Sequence, residues 1–221
     1  MTPHFVVATR PVNKPAFTRT DAEERRRLLI AAATRVLARD GASGASVRAI
    51  AQEAKVSPGL VTHHFGGIDA LIAATYADVS AAVTAALDAA VAGAGDDPRA
   101  RLSAYVAASF APPIADRALL ATWVAFWGLV IARDDVARLH DEQYAHFRGG
   151  IEGLLADCGV PPAACRRSAI AITALVDGLW LELCLSPEVF DAAEARAIAE
   201  AQIAALLDHQ AQGERGEVQR D

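Results

Sequence analysis

Apolar positions recur at three- and four-residue intervals along most of this chain, which is the spacing of amphipathic helices. The first such segment begins after Thr20, a residue that can cap a helix, and Gly41 marks its end. Four apolar positions share one face of this predicted helix: Leu29, Ala33, Val36 and Leu37. The pattern therefore predicts an amphipathic helix near the N-terminus.

Two shorter helices are expected directly after it. Ser46 is a cap candidate for a helix that runs to Ala54. Ser57 followed by Pro58 is a favoured start for the next helix, which extends to about Phe65. Two short helices joined by a tight turn have the dimensions of a helix-turn-helix that sets its second helix into a DNA major groove.

The rest of the chain is alanine-rich and also helical in pattern. Loops rich in proline, glycine and aspartate separate six further predicted helices at about 68–91, 98–110, 115–133, 135–157, 163–186 and 191–211. We therefore expect an all-α protein. Its predicted parts are a flexible arm (1–20), a three-helix helix-turn-helix domain (21–67), a helical ligand-binding and dimerisation domain (68–211) and a polar tail (212–221).

Charge is divided unevenly between these parts. The net charge of the whole chain is −6, but residues 1–65 hold ten Lys and Arg against five Asp and Glu. Residues 66–221 hold eleven against twenty-two. Because phosphate attracts basic surface, the N-terminal part is the one expected to meet nucleic acid.

Several classes of protein are disfavoured by what the sequence lacks. No run of about 18 charge-free apolar residues is present, so we expect a soluble cytoplasmic protein without a membrane partner. The three cysteines, Cys158, Cys165 and Cys184, have no CxxC spacing, and their odd number fits buried small residues in a reducing compartment. Catalytic signatures such as GxSxG, HExxH or a P-loop are absent, so we expect no enzyme, no cofactor and no metal.

The third predicted helix presents a surface suited to DNA. Val61 and Phe65 fall on one face, while Gly59, Thr62 and His63 fall on the opposite one. Glycine permits close approach of the backbone, threonine offers a hydroxyl and a methyl group, and histidine can donate to a base edge or a phosphate. At the start of the second helix, Ser46 and Arg48 can hold the DNA backbone. For Arg25, Arg26 and Arg27 a solvated helix face and a phosphate contact remain equal alternatives.

The segment SVRAIAQEAKVSPGLVTHHF, residues 46–65, resembles the DNA-binding domain of the TetR family of transcriptional regulators. The resemblance covers about residues 25–75 and implies base or phosphate contacts at Pro58, Gly59, Thr62, His63 and His64. Three positions depart from the family pattern. Lys55 stands where glycine is usual in the turn, Thr62 replaces the usual aromatic residue, and Ile68 replaces a common lysine. A side chain at a left-handed turn position costs about 1 kcal/mol or more.

Aromatic residues of the second half are concentrated in two stretches, WVAFW and ALVDGLWL. Helical spacing places Trp123, Phe126 and Trp127 on one side of a helix and Asp177 one turn from Trp180. Aromatic faces with a carboxylate are groups that hold a quaternary ammonium ion. A plain hydrophobic core is an equally good reading of the tryptophans. The two stretches also resemble the choline-responsive BetI-type subgroup, which implies a sensor for choline or a related small cation.

Together these patterns predict a repressor that leaves its operator DNA when a small-molecule effector binds. The last two predicted helices are long enough to form a four-helix bundle with a second copy. Such a homodimer would set its recognition helices about 34 to 36 Å apart on a double-stranded palindromic operator. The alternatives are a regulator that responds to an unrelated apolar or aromatic ligand and a helical ligand-binding protein without DNA function.

Overall fold

The structure, a computed structural model, describes the backbone of residues 19–218 and the side chains of residues 21–209. All regular elements in this part are helices. They are α1 (Arg19–Gly44), α2 (Val47–Glu53), α3 (Pro58–Phe65), α4 (Ile68–Gly93), α5 (Pro98–Ala108), α6 (Arg117–Ala132), α7 (Asp134–Asp157), α8 (Pro162–Leu185) and α9 (Ala192–Val218). The all-α prediction is confirmed. The predicted N-terminal arm falls outside the described residues, apart from Arg19 and Thr20, which belong to α1.

The ends of the first three helices follow from local chemistry. Gly41 adopts a left-handed φ of 68° and breaks α1, after which the chain resumes helical structure as far as Gly44. Oγ of Ser46 accepts a hydrogen bond from the backbone N–H of Ala49 at 3.2 Å, which caps α2 as predicted. Ser57 occupies the cap position of α3, but its side chain makes no capping bond.

The turn between α2 and α3 has a left-handed backbone position of the kind that glycine usually occupies, although the residue there is Lys55. Lys55 has a φ of 57°, in the left-handed region where a side chain is strained. The backbone N–H of Val56 donates to the carbonyl oxygen of Ala51 at 2.9 Å and closes the turn. The strained position expected from the sequence is therefore present, and it lies directly before α3.

Two hydrophobic cores hold the molecule together. The N-terminal core joins α1, α2, α3 and the start of α4, and it includes Leu29, Ile50, Val61 and Leu71, all of them fully buried. The larger core of the C-terminal part surrounds Tyr76, Phe126 and Trp180, among others. Helix α4 contributes to both cores, so it connects the N-terminal module (α1 to α3) with the C-terminal domain (α4 to α9).

Several helix ends differ from the predictions, among them those of α6 and α9. Helix α6 begins at Arg117 rather than 115, because Oδ1 of Asp116 accepts from the backbone N–H groups of Ala118 and Leu119 at 3.0 Å and caps it. Helix α9 continues to Val218, well past the predicted end at 211, so much of the expected polar tail is helical.

By length and composition, α4 and α8 could each cross a membrane. A long core helix of a soluble protein passes the same test. Both helices pack their apolar sides into the larger core, and each carries acidic residues, among them Asp78 in α4 and Glu182 in α8.

Candidate functional site

The outer face of α3 lies in solvent and its inner face lies in the N-terminal core. Val61 is fully buried, whereas Pro58, Gly59, Thr62 and His63 are exposed. Val61 anchors the helix from the opposite side, so the exposed side chains are not needed for packing. The face that the spacing predicts for DNA is therefore free to meet a groove.

The start of α2 lies in solvent as well. Ser46 and Arg48 are both exposed. Since Oγ of Ser46 already accepts the capping bond, its hydroxyl hydrogen is the part available to a phosphate. The predicted contact positions of α2 are therefore exposed, as are those of α3 apart from His64.

His64 is placed differently from its neighbour His63. It is half-buried, and its Nε2 atom is withdrawn from water without a hydrogen-bond partner in the described part of the chain. Burial, followed by the nearby positive charges of His63, Arg25 and Arg26, lowers the pKa of His64 below its ordinary value. The ring is therefore neutral at pH 7, and it packs edge-on against His63 with centroids 5.0 Å apart.

Arg26 fastens the end of α3 to α1. Its guanidinium lies 4.2 Å from the centre of the Phe65 ring, and its Nη1 donates to the carbonyl oxygen of His64. A cation over an aromatic face combines charge attraction with burial of the ring. Arg26 thus takes a positioning role that the sequence did not predict, and because its side chain is also exposed, both alternatives that the sequence left open for it remain.

Ion pairs attach α2 to α1. Glu53 accepts from Arg35 at 2.7 Å and from Arg39 at 2.8 Å, and Arg39 also pairs with Asp40 at 2.8 Å. Hydrogen bonds from Arg35 and Arg39 lower the pKa of the Glu53 carboxyl below its ordinary value. Because these groups are largely exposed, each pair contributes little to stability, but together they fix the angle between the two helices.

A cavity of about 40 Å³ lies between α4, α6, α7 and α8. Its lining combines aromatic and polar side chains. They are Trp123, Tyr144, Phe147 and Trp180, together with Ser80, Thr84, Gln143 and Asp177, and the apolar Val83 and Val176. The volume corresponds to about three waters, at roughly 10 to 15 Å³ each, so even a small organic ligand would require the walls to move apart.

Trp123, Asp177 and Trp180 were predicted for this pocket and line it. Phe126 and Trp127 were predicted for it too, but they lie behind its wall. Phe126 is fully buried and packs against the ring of Tyr76, with centroids 4.9 Å apart. Although helical spacing puts all three on one side of α6, only Trp123 of the WVAFW stretch lines the cavity, because Phe126 packs against Tyr76 and Trp127 donates to Tyr144.

Asp177 lies at one wall of the cavity, where it is hydrogen-bonded to the hydroxyl of Tyr144. The hydroxyl of Tyr144 donates to its carboxylate, at 3.1 Å from each oxygen, and accepts from Nε1 of Trp127 at 3.3 Å. Burial raises the pKa of Asp177 to about 6, against the opposing effects of the Tyr144 bond and the charge of Arg148. A cation beside this carboxylate would favour its ionised form.

Two polar atoms at the cavity have no partner among the described residues. They are Oγ of Ser80 and Nε1 of Trp123, both withdrawn from water. By contrast, Nε1 of Trp180 donates to the carbonyl oxygen of Ser109 at 2.8 Å. Native proteins satisfy nearly all buried polar groups, so the pair at the cavity needs an explanation.

The sequence did not reveal Ser80, Tyr144 and Phe147 as cavity residues. Their spacing is that of ordinary amphipathic helices, and the contacts that matter join residues far apart in the chain. A hydroxyl at an otherwise apolar position, as at Ser80 in α4, was the available signal. As for metals, the described residues contain no cluster of His, Cys, Asp or Glu able to hold an ion.

Comparison with known proteins covers both parts of the chain. The family model for bacterial regulatory proteins of the tetR family matches residues 29–75, and that for the C-terminal part of BetI-type transcriptional repressors matches residues 98–208. The HTH-type transcriptional regulator BetI of Paraburkholderia phytofirmans is 37% identical over 179 residues, which are 80% of this chain and 90% of that protein. The chain belongs to the TetR family. It is a transcriptional regulator with a BetI-type C-terminal domain.

Solved structures share this fold. A putative transcriptional regulator from Pseudomonas aeruginosa PAO1 is 39% identical, with a TM-score of 0.78 over 88% of this chain and 95% of that one. One from Saccharomonospora viridis, solved in complex with choline, has a TM-score of 0.70 at 22% identity, over 82% of this chain and 96% of that one. The predicted family, the N-terminal helix-turn-helix and the C-terminal helical domain are confirmed.

Two of the departures from the TetR pattern have visible consequences. Ile68, in place of the common lysine, is partly buried and packs against both cores. It therefore adds apolar contact where the family has a positive charge. Thr62, in place of an aromatic residue, leaves the exposed face of α3 smaller and more polar.

Proposed function

We propose that this TetR-family regulator is a homodimeric repressor released from its operator by choline or a closely related quaternary ammonium ion. The observation that carries the proposal is the cavity, in which aromatic side chains and the half-buried carboxylate of Asp177 line the same space. Aromatic faces attract an ammonium ion through their quadrupole, and the carboxylate supplies the opposite charge. The choline complex of the Saccharomonospora viridis regulator supports the choice of ligand.

The size and polarity of the cavity favour a small cation over a large apolar ligand. About 40 Å³ is small even for choline, so a bulky aromatic compound would need a larger movement of the walls than a small cation. An apolar ligand would also remove water from the half-buried Asp177 carboxylate without bringing a positive charge to it, which is costly. Trp123, Trp180 and Tyr144 would hold the methyl groups, and Asp177 would balance the charge.

DNA contact is proposed for the exposed residues of α2 and α3. Thr62 and His63 would reach base edges, with Pro58 and Gly59 against the DNA backbone. Ser46 and Arg48 would hold a phosphate at the start of α2. His64 is half-buried, so its contribution would be to support His63 and reach the edge of the groove.

Helix α4 provides a route from ligand to DNA. Ser80, Val83 and Thr84 line the cavity, while Leu71, near the start of the same helix, lies in the N-terminal core. A second link is Arg133, which pairs with Asp69 of α4 at 2.7 Å and with Asp135 of α7 at 2.6 Å. A shift of α4 on ligand binding would therefore move the N-terminal module and change the spacing of the two recognition helices.

The dimer is proposed to form through α8 and α9. Ile170, Ala174 and Gly178 lie on an exposed face of α8, and Ile198 and Ala201 lie on an exposed face of α9. Apolar faces of this kind on long helices are buried when two copies form a four-helix bundle. Like its relatives, the protein would act in the cytoplasm, as a regulator and not as an enzyme.

A mobility-shift experiment on the protein's own upstream DNA, with and without millimolar choline, tests this proposal. We expect retarded DNA that choline releases. Retardation that choline leaves unchanged would reject the effector, and absence of retardation at any protein concentration would reject that DNA as the operator.

A further inference from the structure

Two residues that line the cavity each carry a buried polar group without a partner in the described part of the chain. Trp123 is 6% exposed and Ser80 is 5% exposed, and both residues line the cavity. The indole Nε1 of Trp123 and Oγ of Ser80 have no hydrogen bond. An unsatisfied buried donor is expensive, so these two atoms are placed to be satisfied by something that enters the cavity.

The indole N–H groups of the other two tryptophans both have hydrogen-bond partners. Nε1 of Trp180 donates to the carbonyl oxygen of Ser109 at 2.8 Å, and Nε1 of Trp127 donates to the Tyr144 hydroxyl at 3.3 Å. Of the three tryptophans, Trp123 is therefore the one whose indole N–H is available to a ligand. An indole N–H only donates, so its partner must be an acceptor atom.

We propose that Trp123 and Ser80 form a recognition point for an oxygen atom of the effector. This inference rests on the proposed function and specifies the ligand further. The effector is a small quaternary ammonium ion that carries a hydroxyl or carbonyl oxygen on a short arm. The ammonium group meets Asp177 and the aromatic faces, while the oxygen accepts from Nε1 of Trp123 and exchanges a hydrogen bond with Ser80.

Calorimetric titration of the full-length protein tests this inference with two ligands of nearly equal size. Choline carries the hydroxyl, and n-propyltrimethylammonium has a methyl group in its place. We expect choline to bind the wild-type protein about tenfold more tightly, because the methyl group leaves both polar atoms unpaired.

Variants then isolate the two contacts. Trp123→Phe removes the N–H, and any loss of cation–π attraction affects both ligands alike, so the ratio of the two dissociation constants reports on the hydrogen bond. We expect Trp123→Phe and Ser80→Ala each to reduce this ratio severalfold. Trp180→Phe is the matched control, since its N–H already donates to Ser109. The Trp180→Phe variant should bind both ligands more weakly and leave the ratio of their dissociation constants unchanged.

Equal affinity of the wild-type protein for the two ligands would overturn the inference and leave the proposed effector class intact. A ratio that neither Trp123→Phe nor Ser80→Ala changes would also overturn it. Failure of both ligands to bind at millimolar concentration would overturn the inference together with the proposed effector. Ser80→Ala gives an independent result if Trp123→Phe does not fold.

Discussion

Burial raises the pKa of the Asp177 carboxyl to about 6, from an ordinary value of 3.8. In the unfolded chain the group ionises at lower pH, so between about pH 4 and 6 the folded protein holds more protons. Stability of the ligand-free protein therefore falls as pH rises through that window and stays lower above it. The carboxylate that would bind the cation thus destabilises the empty protein.

Asp177→Asn should accordingly stabilise the ligand-free protein at pH 8. The expected gain in the free energy of unfolding is at most about 3 kcal/mol, since two pKa units correspond to that amount. Asparagine also retains an oxygen that can accept from Tyr144. Urea denaturation at pH 8 and pH 4 measures the gain, which should nearly vanish at pH 4. The exposed Asp78→Asn on α4 is the control, and an equal gain there would contradict the explanation.

Choline binding should depend on pH through the same group. Protonation of Asp177 removes the charge that attracts the cation, so affinity should fall below about pH 6, by up to tenfold for each further pH unit. Three other groups near Asp177 belong to the same network: Tyr144, Arg148 and His140, whose ring stacks on Tyr144 at 3.9 Å. Burial lowers the pKa of the His140 ring below its ordinary value.

Calorimetric titrations at pH 5 and pH 8 check this dependence. The Asp177→Asn variant should show weaker binding that barely changes with pH. Identical wild-type dissociation constants at the two pH values would show that Asp177 does not balance the charge of the ligand.

At the scale of elements, α3 combines an anchored inner face with an exposed outer one. The double variant Thr62→Ala, His63→Ala should abolish operator binding, because it removes both exposed side chains from the proposed contact surface. Exposed substitutions change stability by only about 0.5 kcal/mol, so the fold should persist. Fluorescence anisotropy with labelled operator DNA measures binding, and circular dichroism confirms the fold.

Arg117→Ala, at the start of α6, serves as the control because it removes an exposed positive charge far along the chain from α3. Its operator affinity should be close to that of the wild type. An undiminished affinity of the Thr62 and His63 double variant would remove α3 from the DNA interface.

Local signals made the N-terminal elements predictable. Capping and breaking residues act within a few positions, so Ser46, Pro58 and Gly41 placed the helix ends close to where they lie. The strain at Lys55 followed from comparison of one turn position with the usual glycine. The role of Arg26 did not follow, because its contacts with His64 and Phe65 join residues separated by 38 or more positions.

The cavity was only partly predictable for the same reason. Helical spacing placed Trp123 and Trp180 on apolar faces, and Asp177 stood out as the lone acidic residue of ALVDGLWL. Which helices meet is decided by packing over the whole chain. The local sequence therefore gave no signal that Tyr144 lines the cavity. It also gave none that Trp127 donates a hydrogen bond to Tyr144.

At the scale of the whole molecule, the exposed apolar face of α8 and α9 carries the proposed dimer. Ile170→Asp places a charge in that face and should shift the protein toward a monomer, since a buried unpaired charge is costly in an interface. Ile131→Asp is the matched control, because Ile131 is an isoleucine that is 89% exposed but belongs to α6 and not to α8 or α9. Analytical ultracentrifugation measures the oligomeric state of both variants.

Loss of the dimer should also weaken operator binding, because a single recognition helix contacts only one half-site. A wild-type protein that sediments as a monomer, or an Ile170→Asp variant that remains fully dimeric, would contradict the proposed interface.

The central claim is that occupation of the cavity at Asp177 releases DNA from α3, which lies in the other part of the molecule. The most direct test is a titration of choline into the preformed complex of protein and labelled operator, followed by fluorescence anisotropy. We expect wild-type protein to release the DNA at choline concentrations that leave the Asp177→Asn complex intact. Release at the same concentration from both proteins, or a wild-type complex that persists although choline is bound, would contradict the account.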